Sequence, residues 1–184
     1  MSPNKVVDEN ELPKIISSLQ GLSGYETEIG IFGSEAEETT VGTSSISMLD
    51  LAVILHEGCQ IRVTPKMRNY LAFKGLHLKK DTKFINIPAR PFIDPATEKA
   101  ETSVMELLER AISGAIDRQQ LPGGSGSAVW NRVGLVVTRM IQNEMVALRD
   151  PPNHPFTIAM KGSDNPLIDH GHLLRSVIHE VRAR

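Results

Sequence analysis

The chain has 184 residues, 40% of them apolar and 23% charged, which are the proportions of a globular protein long enough to bury a real core. A formal net charge of -2 excludes a surface that is basic throughout; no apolar run reaches bilayer length, and the opening MSPNKVVDEN holds no signal-peptide core. The single cysteine, Cys59, excludes an internal disulfide framework and a multi-cysteine zinc site and points to a reducing compartment, while one Trp, two Tyr and five Phe are too few for a single-strand stacking platform.

In chain order, NELPKIISSLQGL predicts a first helix. Asn10 can cap it, Pro13 sits in the first turn, Leu12, Ile15, Ile16 and Leu19 recur at helical spacing, and Gly21 and Gly24 end it. ETEIGIFG predicts a strand with Ile29 and Ile31 on one side. Residues 34–45 are polar and acidic and predict a solvated loop. SMLDLAVILHEG predicts a helix packed through Leu49, Ala52, Val53 and Leu55 and stopped by Gly58. Thr64-Pro65 starts another, with Met67, Tyr70, Leu71 and Phe73 as its apolar side and Gly75 closing it. KFINIP predicts a second strand, and ARPFIDP, with prolines at 91 and 95, an extended connector.

Two long helices come next. Val104, Leu107, Leu108, Ala111, Ile112, Ala115 and Ile116 keep helical spacing without a break, as do Val129, Val133, Val136, Val137, Met140, Ile141 and Met145. LPGGSGS between them is a turn that lets the pair lie antiparallel. DPPNHPF breaks the second helix. A short helix beginning near Asp169 and a strand, VIHEVR, finish the chain. Elements grouped in this way predict an α+β domain spanning 1–184: a small mixed or antiparallel sheet packed against two long helices, with 61–83 as a protruding excursion.

Most patterns that suggest chemistry lack a partner. His56-Glu57 needs a second histidine at position 60 to be a zinc-protease pair, and position 60 is Gln. Cys59 has His56 nearby but no third, orienting group, so it reads as a small residue at a helix–strand junction. GGSGS lacks the Gly-Lys-Ser/Thr ending of a phosphate loop. No motif for a cofactor is present. Asp169-His170-Gly171-His172 reads first as a helix start, with Asp169 as N-cap and the two histidines pointing apart. A metal-dependent hydrolase using Asp169, His170 and His172 stays open as an alternative; it needs another ligand, such as His154 or His179, and no spacing rule draws those in.

Residues 61–93 are the one strong charge anomaly. Arg62, Lys66, Arg68, Lys74, Lys79, Lys80, Lys83 and Arg90 stand against a single acid, Asp81. Such a segment can face phosphates, as in a nucleic-acid-binding module, or an acidic protein surface. The acidic loop at Glu35, Glu37 and Glu38 is a candidate complement, and pairing of the two between neighbours, head to tail, would generate a ring.

LAVILHEGCQ, VTPKMRNYL, INIPARPFI and MKGSDNPLIDHGHLLRSVIHEV, taken in this order, resemble the virion-morphogenesis and tail-completion proteins of tailed bacteriophages, including Mu-like prophages. The resemblance runs from about residue 49 to the C-terminus, and the IPARPF and KGSDNPLID strings carry most of it. One departure is His170, where the family commonly holds threonine. The resemblance implies a structural virion protein without catalytic residues, acting in tail completion and head–tail joining at the neck. It also implies a compact α+β subunit in a ring, hexameric to match the tail tube. The implied partners are copies of itself and neighbouring proteins such as the tail terminator, the tail tube or the head–tail connector. DNA contact would arise only by passage through a channel, no membrane is involved, and the location is the virion, reached from the host cytoplasm during assembly.

Overall fold

The computed structural model describes residues 10–32, 40–41 and 44–184. The class is α+β. Among the described residues there are seven helices: α1 (Leu12–Ser23), α2 (Met48–Glu57), α3 (Pro65–Phe73), α4 (Asp94–Asp117), α5 (Gly126–Ala147), α6 (Pro155–Lys161) and α7 (His172–Ser176). The strands are β1 (Tyr25–Gly30), β2 (Thr40–Val41), β3 (Ser44–Ser45), β4 (Cys59–Arg62), β5 (Phe84–Ile87) and β6 (Ile178–Ala183). In place of one small sheet they form three separate two-stranded ladders, β1 with β6, β2 with β3 and β4 with β5. The β2–β3 ladder falls within the stretch predicted as loop, pairing Thr40 with Ser45 and Val41 with Ser44.

Contacts divide the chain into two compact units. The first comprises residues 1–29, 100–137 and 179–184, the second residues 30–99 and 138–178.

In the first unit, Ala111, Ala115, Leu121 and Val129 are buried together, and Leu19, Leu22, Leu107 and Leu108 pack against them. The LPGGSGS turn therefore contributes Leu121 to the core. Ser125 caps α5 by accepting the Ala128 N–H at 3.2 Å. α1 approaches the start of α5 so closely that a Cβ on Gly126 would lie 1.9 Å from the Gly21 carbonyl oxygen. Trp130 Nε1 donates to the Leu22 carbonyl at 2.8 Å, closing the same contact. Gly21, expected to end α1, is inside it, and Gly24 is the C-cap. β6 crosses α5 at Gly134, where a Cβ would meet the His179 ring at 2.3 Å. Arg182 of β6 pairs with Glu28 of β1 at 2.8 Å, and Arg184, just past β6, with Glu26 of β1 at 2.9 Å. The two pairs run in opposite senses along the strands, as in an antiparallel ladder.

In the second unit, Met48, Ala52, Phe92, Ala96, Ile141, Met145, Leu167, Leu173 and Val177 are buried, and α2 packs on α7. Ser47 caps α2 by accepting the Asp50 N–H at 3.0 Å. α4 begins earlier than its unbroken apolar run, because Pro95 lies in a first helical turn, which needs no N–H from it. Its first turns meet the end of α5, where Lys99 pairs with Glu144. α6 was not expected: proline at 155 reads as a breaker, yet it opens the helix behind the His154 cap, whose Nδ1 accepts the Phe156 N–H. Gly162 ends α6 in the left-handed conformation.

Several side chains predicted to pack stand in solvent instead. Leu49 and Val53 of α2 are about half exposed, as are Ile112 and Ile116 of α4, while Tyr70 and Phe73 of α3 are more so. Periodicity reports which face of a helix is apolar, but burial requires a neighbour on that face.

Candidate functional site

The basic segment is built as an excursion with a closed neck. The chain leaves α2 at Gly58, whose φ is 75° and whose added Cβ would lie 2.6 Å from the Ala89 nitrogen, so glycine is required there. It returns at Arg90, whose N–H reaches the Leu55 and His56 carbonyls at 2.9 and 3.2 Å. Between these points β4 and β5 pair antiparallel from Cys59 opposite Ile87 to Arg62 opposite Phe84. Beyond the ladder, Thr64 caps α3 by accepting the Met67 N–H at 3.2 Å.

Of the predicted interface residues, Arg62, Lys66, Lys74, Lys79, Lys80 and Lys83 are exposed. Arg68 is not a free charge: its guanidinium donates to the carbonyls of Leu78, Lys79 and Thr82 at 3.1, 2.8 and 2.7 Å. It holds the 76–83 loop to α3, as a planar fork of donors suits. Arg90 is buried at 4% exposure and donates to the Pro151 and Pro152 carbonyls and to Asn153 Oδ1. Burial holds its pKa below the usual arginine value. It belongs to the interior of its unit, not to the basic surface. Glu35, Glu37 and Glu38 lie outside the described residues.

Three aromatic side chains stand among the exposed lysines, with Phe73 85%, Tyr70 57% and Phe84 49% exposed. Lys74 Nζ lies 5.9 Å from the centre of the Tyr70 ring, within cation–π reach. Charge was legible in the sequence here. The exposure of the aromatics was not, because Tyr70 and Phe73 occupy positions that periodicity assigns to a core.

The Asp169-His170-Gly171-His172 turn differs from its prediction. The N-cap of α7 is Gly171, in the left-handed conformation at φ 75°, and it offers no side-chain cap. Asp169 instead faces its neighbour, with Oδ2 3.2 Å from His170 Nδ1, and both side chains are more than half exposed. The two histidine rings are 6.2 Å apart, centre to centre. A shallow cavity of about 200 Å³ brings Asp169, His170 and His172 together with Lys161 and with apolar Leu51, Leu55 and Leu173. Among the described residues, no three His, Cys, Asp or Glu side chains converge in a way that could hold a metal ion. His154 caps α6, and His179 Nε2 lies 2.9 Å from Asn131 Oδ1 in the first unit.

His56 is a structural histidine at the end of α2. Its Nδ1 accepts the Phe92 N–H at 3.4 Å, its ring meets Phe92 edge-on at 5.2 Å, and its Nε2 lies 3.6 Å from Asp94. Cys59 opens β4 opposite Ile87.

The turn's capping work falls to Asn165. Its Oδ1 accepts the N–H groups of Leu167 and Ile168 at 2.9 and 3.0 Å, and its Nδ2 donates to the Val146 carbonyl at 2.9 Å. Asn153 bridges the two resemblance-carrying strings, accepting from Arg90 and donating to the Asn165 carbonyl at 3.3 Å. Neither asparagine stood out in the sequence; an Asn-Pro step is a turn signal, but nothing local announces the carbonyls it must reach. Comparison of the chain with protein-family models, with curated proteins and with solved structures finds no match.

Proposed function

We propose that the protein is a structural component of a tailed-phage virion, acting by binding alone in tail completion and head–tail joining, as one subunit of a ring at the neck. The observation that carries this is the buried network in which Arg90 of IPARPF and Asn165 of KGSDNPLID meet through Asn153. The two strings on which the phage resemblance rests come together in one load of turns and braces, as a shared scaffold would require. At its centre the Arg90 and Asn165 side chains are engaged by backbone carbonyls and N–H groups. What the second unit offers outward is the basic, aromatic excursion, a surface suited to adhesion. In this role six copies would match the tail tube and meet proteins such as the tail terminator or the head–tail connector.

Disruption of the gene followed by electron microscopy of the lysate tests the proposal. Full heads and finished tails left unjoined, or tails of abnormal length, are the expected outcome. Normal infectious particles would defeat it.

A further inference from the structure

Two exposed surfaces of this chain are complementary in both charge and apolarity. The excursion carries Phe73, Tyr70 and Phe84 among six exposed cations. The other surface is the outer face of α4. Glu98, Glu101, Met105, Glu109, Ile112 and Ile116 recur every three or four residues and so form one stripe along the helix. Met105, Ile112 and Ile116 are 53%, 41% and 50% exposed, and the three glutamates are exposed with them. α4 as a whole holds six acids against two bases; Lys99 is engaged with Glu144 and Arg110 with Glu106.

The neighbouring helix lacks this character. Leu135, exposed on α5, lies one turn from Arg132 on one side and Arg139 on the other, both exposed, so that face would repel the excursion. Outside residues 61–93 the chain holds 21 acids and 12 bases, so the excursion's excess of positive charge is matched within the same sequence.

We propose that the occupant of the excursion is a second copy of this chain: Phe73 and Tyr70 of one subunit seat on Met105, Ile112 and Ile116 of the next, with Lys79 and Lys80 facing Glu101 and Glu109. The contact joins two different patches, so in a pair each subunit keeps one patch free, one its α4 face and the other its excursion, for a further neighbour. Repeated, it generates a ring if the rotation closes and a filament if it does not. Aromatic anchors supply most of the affinity, and the charges select the partner and its register. The inference rests on the ring proposed above, and it names the patches that would build it.

Sedimentation of the full chain over a range of concentrations at low and high salt tests this. Wild type should self-associate, more weakly at high salt because surface charges are screened beyond about 10 Å at 0.1 M. Phe73→Ala should weaken association roughly tenfold or more, with an unchanged circular dichroism spectrum, since Phe73 makes little of the fold. Lys79→Glu/Lys80→Glu and Glu101→Lys/Glu109→Lys should each weaken it, and the chain carrying all four changes should recover it. Association unchanged by either reversal, with rings intact, would overturn the assigned patches and leave the ring itself standing. A wild type that stays single at every concentration would also overturn it, and the gene disruption would then judge the virion role separately. Tight, steeply salt-dependent binding of a short single-stranded oligonucleotide by that single chain, lost in Lys79→Glu/Lys80→Glu, would make the excursion a nucleic-acid surface instead.

Discussion

Replacing Asn165 probes the side-chain brace beside the point where the two resemblance-carrying strings meet, the tie itself running through the Asn165 main-chain carbonyl. Its side chain is almost entirely enclosed, at 7% exposure for the residue, and makes three close hydrogen bonds: to the Val146 carbonyl and to the N–H groups of Leu167 and Ile168. A fourth, to the Met145 carbonyl at 3.4 Å, is longer. Asn165→Ala removes all of them. Each is worth about 1 kcal/mol net, and a buried N–H left without an acceptor, as at Leu167, costs roughly 1–3 kcal/mol more. The expected loss is about 3–5 kcal/mol, which lowers a urea midpoint by roughly 1.5 M or more. Asn165→Asp separates the two halves of the side chain's work. It keeps an acceptor for Leu167 and Ile168 but sets an oxygen against the Val146 carbonyl, so at neutral pH it should cost at least as much as alanine. As pH falls and the carboxyl protonates, it can donate again, and part of the loss should return. Urea unfolding followed by circular dichroism measures both variants, and hydrogen exchange at the Leu167 and Ile168 amides localises the effect. A cost below about 1 kcal/mol for Asn165→Ala would refute the Asn165 side chain as a brace.

Arg90→Ala should cost about 3 kcal/mol, because it strips donors from the Pro151 and Pro152 carbonyls and opens a cavity; Arg90→Lys should recover only part, since one ammonium cannot reproduce the fork. Thermal unfolding of the pair measures this, and equal stability of the two would contradict it. Gly126→Ala should destabilise by roughly 1–3 kcal/mol, because its Cβ would collide with the backbone of α1 at Gly21; loss of Trp130 fluorescence at lower denaturant is the readout. Lys161 supplies a pH test. Burial outweighs the attraction of Asp169 and holds its pKa below the ordinary 10.5, so the folded chain releases this proton at lower pH than the unfolded chain does. The stability of wild type relative to Lys161→Met should therefore rise as pH increases toward that value, and a fall over the same range would refute the assignment.

Local physics was legible in the sequence wherever one residue's own chemistry decides the outcome. The Thr64-Pro65 start of α3, the Gly58 and Gly24 stops, and the two long helices follow from caps, φ preferences and spacing along the chain. The same local signals failed where a neighbour from elsewhere had to be known. Asp169 has the right side chain for an N-cap, but the backbone turns left-handed at Gly171 and places the cap there, while Asn165 satisfies the N–H groups of the preceding turn. Pro155 breaks one helix and opens another, and only the His154 geometry distinguishes the two roles.

The candidate surface divides along the same line. Its charge is a sum over residues and could be counted from the sequence. Which of those charges are free is a question of three-dimensional partners: Arg68 and Arg90 are taken up by backbone carbonyls, while the six other cations are left outward. Likewise the apolar periodicity of α3 and α4 identified sticky faces, but not that Phe73, Ile112 and Ile116 would stand 85%, 41% and 50% exposed. Sequence alone determined the α+β class, the long helices and the placement of positive charge, because these depend on propensity and composition. Tertiary structure alone decided which polar groups are consumed in bracing the fold and which apolar faces remain for a partner, because burial and hydrogen-bond satisfaction depend on residues far apart in the chain.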